Sequence, residues 1–157
     1  MIPTNRRDAC LALAALAVLG AKAFPTKAEN AGDAEKQNLL SRCETFSFDQ
    51  LPITDLPNGG SMRRVVSGVL ATGEYIEVHE STLPPGKMPH PPHRHRNSEI
   101  LFIREGELEF LNDGKPEKLG PGDVVFAASN VLHGLKNVGN TAGMYFVVAI
   151  GQATASS

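Results

Sequence analysis

Apolar and polar positions alternate in short runs through most of the chain, and turn-forming residues separate the runs. Arg63 to Leu70, Tyr75 to Thr82, Ser98 to Arg104, Glu107 to Leu111, Asp123 to Ala127, Gly134 to Val138 and Met144 to Ile150 are rich in β-branched or aromatic residues. Each is bounded by glycine, proline or small polar residues, which predicts strands. Leu108 and Phe110 alternate with Glu107 and Glu109, the mark of a strand with one face in the core and one in water. Asp113-Gly114 supplies a tight hairpin turn and Pro121-Gly122 a type II turn. No amphipathic helix and no internal repeat is visible in this region, so the pattern predicts an all-β sandwich or barrel. If Glu99, Leu101 and Ile103 look inward, Ile100 and Phe102 form an apolar outer face that needs a cover. A second copy of the chain is the expected cover, and the segment Phe24–Arg42 is the alternative.

The first residues read differently. Arg6-Arg7 precede an apolar run from Ala9 to Ala21, and Ala21-Lys22-Ala23 has the small-x-small form of a cleavage site. The run is too short to span a bilayer, so residues 1–23 are expected to be a removed signal peptide. Asn5-Arg6-Arg7-Asp8 is similar to a twin-arginine export signal, which places the mature protein in the periplasm or outside the cell. Residues 24–43 are polar and read as a linker with a possible short helix near Asp33, residues 44–151 as the folded barrel, and residues 152–157 as a flexible tail.

Composition narrows the partners. Without residues 1–23 the chain keeps 12 basic and 16 acidic side chains, a net charge of −4, so neither nucleic acid nor an anionic membrane is an expected partner. Cys43 is then the sole cysteine, and no internal disulfide can form. There is no glycine-rich phosphate loop, no serine nucleophile elbow, no Cys-x-x-Cys pair and no helix-turn-helix segment.

What remains is a cluster of metal-binding side chains. His93 and His95 form a His-x-His pair, and in extended backbone residues two apart point the same way. Glu99 shares their parity, and His133 is the one downstream histidine that can join them. Three imidazoles and a carboxylate suit a divalent first-row transition metal (Fe, Mn, Ni, Cu or Zn) and suit calcium poorly. On a six-coordinate ion four such ligands leave two positions open, for water, a bidentate small-molecule substrate, or substrate with dioxygen. Pro84, Pro85, Pro89, Pro91 and Pro92 fix the approach to His93, so the loop loses little freedom on binding a metal. His90 reads as an exposed loop residue and Arg94 and Arg96 as solvated, while His79, which shares parity with Tyr75 and Glu77, is expected on an exposed strand face, with the pocket lining as the alternative.

Gly86, His93, His95, Glu99 and Gly106 resemble the first motif of the cupin superfamily, with one extra residue between Gly86 and His93. Gly122, His133 and Asn137 resemble the second, with Ala128 in place of the usual proline and Asn130 in place of the usual glycine. Asparagine tolerates the left-handed backbone that a glycine there would take. The resemblance implies a double-stranded β-helix, the jelly-roll cupin barrel, with the metal inside on His93, His95, Glu99 and His133. It implies a small-molecule substrate or ligand, a homodimer, and a dioxygenase-like metal-dependent enzyme in which Glu99 also serves as catalytic base. An isomerase, decarboxylase or hydrolase needs the same ligands, and a non-enzymatic ligand-binding barrel needs no more.

Overall fold

The computed structural model describes residues 38–152, so the expected signal peptide, most of the expected linker and residues 153–157 lie outside the described residues. Ten strands follow in chain order: β1 Leu39–Leu40, β2 Ile53–Asp55, β3 Ser61–Leu70, β4 Glu74–Leu83, β5 Ser98–Glu105, β6 Leu108–Asn112, β7 Lys115–Leu119, β8 Val124–Ala127, β9 His133–Asn137 and β10 Gly143–Gln152. The one helical element among the described residues is a 3-10 turn at Phe48–Gln50. All seven expected strands are present, with ends shifted by no more than two residues.

The strands form two sheets. The larger runs β1-β3-β4-β10-β5-β8 with β2 also on β3, and the smaller runs β7-β6-β9. Every pairing is antiparallel except that of β1 with β3. This is the jelly-roll barrel expected from the sequence. Its core is the inner face of both sheets, with Leu83, Leu101, Ile103, Leu108, Phe110, Val125, Ala127, Leu135, Tyr145 and Val147 buried together. Burying one such side chain stabilises by about 1.5–3 kcal/mol before the cost of ordering it.

The expected turn chemistry is in place. Asn112 pairs with Lys115, so the β6–β7 hairpin has a two-residue loop, and both Asp113 (φ 46°) and Gly114 (φ 87°) have the positive φ that a type I′ turn needs. The β7 strand itself was not expected, because Lys-Pro-Glu-Lys-Leu carries no apolar alternation. It is an edge strand whose Lys115, Pro116, Glu117 and Lys118 are exposed, and edges are where proline and lysine are tolerated. Leu39–Leu40, inside the expected linker, joins the sheet beside Val69–Leu70, and Gln152, assigned to the tail, ends β10.

Phe102, Val124 and Phe126 are 44%, 57% and 67% exposed on β5 and β8, so the apolar outer face expected from the sequence has no cover among the described residues. On β4, Glu80 is wholly buried and bonded to Arg63 (3.2 Å) and Thr82 (3.0 Å). The guanidiniums of Arg63 and Arg104 both lie over the Phe48 ring, which meets Phe146 at 6.3 Å between centroids.

Gly106 joins β5 to β6 at φ 86°, and a Cβ there would stand 2.7 Å from Gly143 Cα. Gly106→Ala should therefore lower stability by about 2 kcal/mol or more, from left-handed strain and backbone collision together. A urea midpoint within error of the wild type would refute this account of the β5–β6 crossing.

Candidate metal centre

One backbone bridge sets the site. His93 N–H donates to the His133 carbonyl at 2.9 Å, and His133 N–H donates to the His93 carbonyl at 3.0 Å. Residues that exchange both bonds across an antiparallel pair send their side chains to the same face. A second reciprocal contact holds the start of the loop: Gly86 N–H donates to Asn137 O at 3.0 Å and Asn137 N–H to Lys87 O at 2.9 Å. Between these clamps run Pro89, Pro91 and Pro92, which have no N–H to donate. Pro92 packs on Gly134 so closely that a Cβ on Gly134 would lie 3.2 Å from its ring.

Asn137 is fully buried, and its side-chain amide donates to Leu83 O and Thr141 O while its Oδ1 accepts from Gly139 N. Upstream, Asn130 N–H donates to His95 O at 2.8 Å, and Asn130 has φ 60°. The left-handed conformation expected at this position is therefore present without glycine.

These contacts bring His93, His95 and His133 together, with one ligand atom from each lying within 4.8 Å of the others. Glu99, at the start of β5, stands beside them: Oε1 is 3.2 Å from His95 Nε2 and Oε2 is 3.7 Å from His133 Nε2. The second ring nitrogens fix the tautomers. His95 Nδ1 donates to Asn97 O (2.8 Å) and His133 Nδ1 to Val131 O (2.9 Å), so each neutral ring carries its proton on Nδ1. In that neutral form both Nε2 atoms would present lone pairs, and both are buried and without a hydrogen-bond partner, as is His93 Nδ1.

A bare imidazole nitrogen facing a carboxylate oxygen is two acceptors in contact, which is unfavourable without a cation between them. A proton can bridge one such pair. A shared metal ion would satisfy three rings and a carboxylate together. Burial, reinforced by the neighbouring imidazoles of His90, His133 and His95, holds the His93 pKa below its ordinary value and keeps that ring in the neutral form that ligates.

The site opens on a cavity of about 300 Å³. Its wall combines Leu56, Met62, Leu101, Phe110, Leu135 and Val147 with the polar groups of His79, Ser81, Glu99, His133 and Tyr145. Burial pushes the Tyr145 phenol up to about 12, so it stays a neutral hydrogen-bond donor through the physiological range. A larger open groove of about 1130 Å³ beside β3 holds none of these polar groups.

The structure corrects one expectation. His79 sits on the inner face of β4 and lines the cavity. Both faces of β4 are at least half-buried along most of its length, so its sequence offers no polar-out, apolar-in alternation from which to read the side. His90 is exposed as expected, but its ring packs against His93 at 4.1 Å between centroids and joins the cavity rim. Arg94 and Arg96 are exposed as expected, and Arg94 donates to Asn130 O.

Comparison with known proteins agrees with this geometry. Residues 79–149 match the Cupin domain family. Over 50 residues the chain is 48% identical to dimethylsulfoniopropionate lyase DddQ of Ruegeria pomeroyi, a match that takes in 31% of this chain and 25% of that protein. Among solved structures it is similar to an RmlC-like cupin from Shewanella frigidimarina (26% identity, 71% of this chain and 94% of that one, TM-score 0.59). It is also similar to a predicted oxalate decarboxylase from Thermotoga maritima (24% identity, 68% and 98%, TM-score 0.58). Domain match and structural likeness together support the cupin superfamily.

Purified protein should carry about one equivalent of a divalent first-row metal, and a His93→Ala/His95→Ala variant should lose it in elemental analysis. Chelation should lower the melting temperature of the wild type and leave that of the variant unchanged, since a ligand bound only to the folded state stabilises it. A wild type that stays metal-free after reconstitution would remove the metal centre.

Proposed function

We propose that this chain is an exported, metal-dependent cupin enzyme that transforms a small oxygen-bearing molecule inside its barrel. The observation that carries the reading is the set of bare, buried ring nitrogens facing Glu99 at the wall of a cavity. His93, His95, Glu99 and His133 would hold a divalent ion, which when bound supplies Lewis acidity and open positions for substrate oxygens. This chain's own residues do the rest: the apolar wall excludes water, and the Tyr145 hydroxyl offers a neutral donor.

Two reactions use the same ligands. The dioxygenase-like reading needs dioxygen at the second open position. Acid–base chemistry on a metal-held substrate needs proton-carrying side chains in the wall, and the cavity offers His79, Ser81 and Tyr145. That lining and the 48% identity to part of a lyase favour the second. The test is turnover of oxygen-chelating small molecules, starting with dimethylsulfoniopropionate, followed with an oxygen electrode. We expect conversion without oxygen uptake. Stoichiometric oxygen consumption would establish the dioxygenase-like reading instead, and metal-loaded protein that binds such molecules without converting any would make the barrel a binding protein.

The apolar outer face around Phe102, Val124 and Phe126 supports a homodimer, with the same face of a second copy as its cover. Export rests on residues 1–23, and no nucleic-acid or membrane partner is proposed for the mature chain. Protein recovered from the periplasm should begin near Phe24 and sediment as a dimer, and Phe126→Asp should sediment as a monomer. A wild-type monomer would remove the dimer, and a mature chain beginning at Met1 would remove the cleaved signal.

A further inference from the structure

The cavity wall holds a histidine that the ligand set does not use. In register His79 lies between Val147 of β10 and Arg64 of β3, on the same inner face as Glu77 two residues earlier. Its Nδ1 is 3.6 Å from Glu77 Oε1, an ion-pair distance and longer than a hydrogen bond, and Arg64 reaches the same oxygen at 3.7 Å. His79 Nδ1 is buried and has no hydrogen-bond partner. A line of charge therefore runs from exposed Arg64 through Glu77 to an imidazole facing the cavity.

Such a ring is arranged to change charge. Neutral, with its proton on Nδ1 toward Glu77, it leaves Nε2 basic; charged, it is met by the Glu77 carboxylate. Burial holds its pKa below the ordinary value, with Glu77 and Glu99 pulling upward, Arg64 pulling downward, and Glu80, on the opposite face of β4, pulling upward. The resting form near neutral pH is the base. Tyr145, also in the wall, remains protonated and cannot compete for that role.

The lining also restricts what enters. No lysine or arginine is among the cavity's lining residues, so an anionic group of the substrate finds no permanently cationic side chain there. A phosphorylated substrate would bring a second anionic group to a wall that has no lysine or arginine to meet it. The volume of about 300 Å³ is at the small end of ligand cavities.

Resting on the metal-dependent reading above, we infer that His79 is the proton-transfer residue of this cavity, acting on a small unphosphorylated carboxylate with an acidic C–H bond. His79 Nε2 takes a proton from the carbon next to a carbonyl. The C–H bond breaks, its electron pair forms a carbon–carbon double bond, and the carbonyl π pair moves to oxygen. The imidazolium, held against Glu77, then returns the proton to carbon or delivers it to a departing group, so no oxidant or second reactant is required.

Pyruvate is a suitable probe, because it has the two-oxygen chelate and its methyl hydrogens are the carbon acid. Metal-loaded protein in heavy water should accelerate loss of the methyl proton signal beyond the rate with free metal ion. His79→Ala should lower that rate about 100-fold while keeping its metal content and urea midpoint. Added imidazole should restore part of the rate in the variant and none in the wild type, a response that a packing role for His79 would not give. His79→Ala that exchanges at the wild-type rate, or that loses the metal, would overturn the inference, as would a metal-loaded wild type without exchange. Failure of the wild type to bind metal is a separate result, and it would remove the metal-dependent reading and this inference with it.

Discussion

The reciprocal hydrogen bonds between His93 and His133 are the constraint on which the site depends. They join residues forty positions apart in the chain, and they do so through backbone, so the pairing does not depend on what the imidazoles bind. Two such rings brought side by side with their lone pairs inward are unfavourable as a bare arrangement. The fold tolerates this because the cost is set against a large inner core, and because the remaining nitrogens of His95 and His133 are tied to the carbonyls of Asn97 and Val131. A metal would relieve the unpaired acceptors without asking the backbone to move.

Small residues let the ligand loop reach the smaller sheet. Gly134 admits the Pro92 ring, and Asn130 in left-handed conformation lets its own N–H meet His95 while its carbonyl meets Arg94. The buried Asn137 amide then bridges the end of β4 to the turn before β10. Strand β9 is short, yet it carries the third histidine at one end and this amide at the other. It aligns the ligand loop at both points.

Most of the barrel was legible in the sequence because its strands are bounded by residues with specific backbone demands. Asp113-Gly114 could be read as a hairpin because few other dipeptides accept positive φ twice. The histidine cluster was legible because a two-residue spacing in extended chain needs no knowledge of the fold. β7 was not, since a solvated edge strand is held by backbone pairing to β6 and need not alternate. The side to which His79 turns was not legible, for a related reason. Its neighbour Glu80 is a charged residue fully buried on the outer face by Arg63 and Thr82, so on β4 polarity does not mark the wet side. Only pairing with β10 shows which residues look inward.

The lack of lysine and arginine in the cavity wall has a consequence for charge balance. Three neutral imidazoles and one carboxylate around a divalent ion would leave a single uncompensated positive charge in a largely apolar enclosure. A carboxylate bound at that ion would bring its immediate surroundings to electroneutrality. With a divalent ion in place, such a wall would weigh the charge of a guest's metal-binding group as well as its shape.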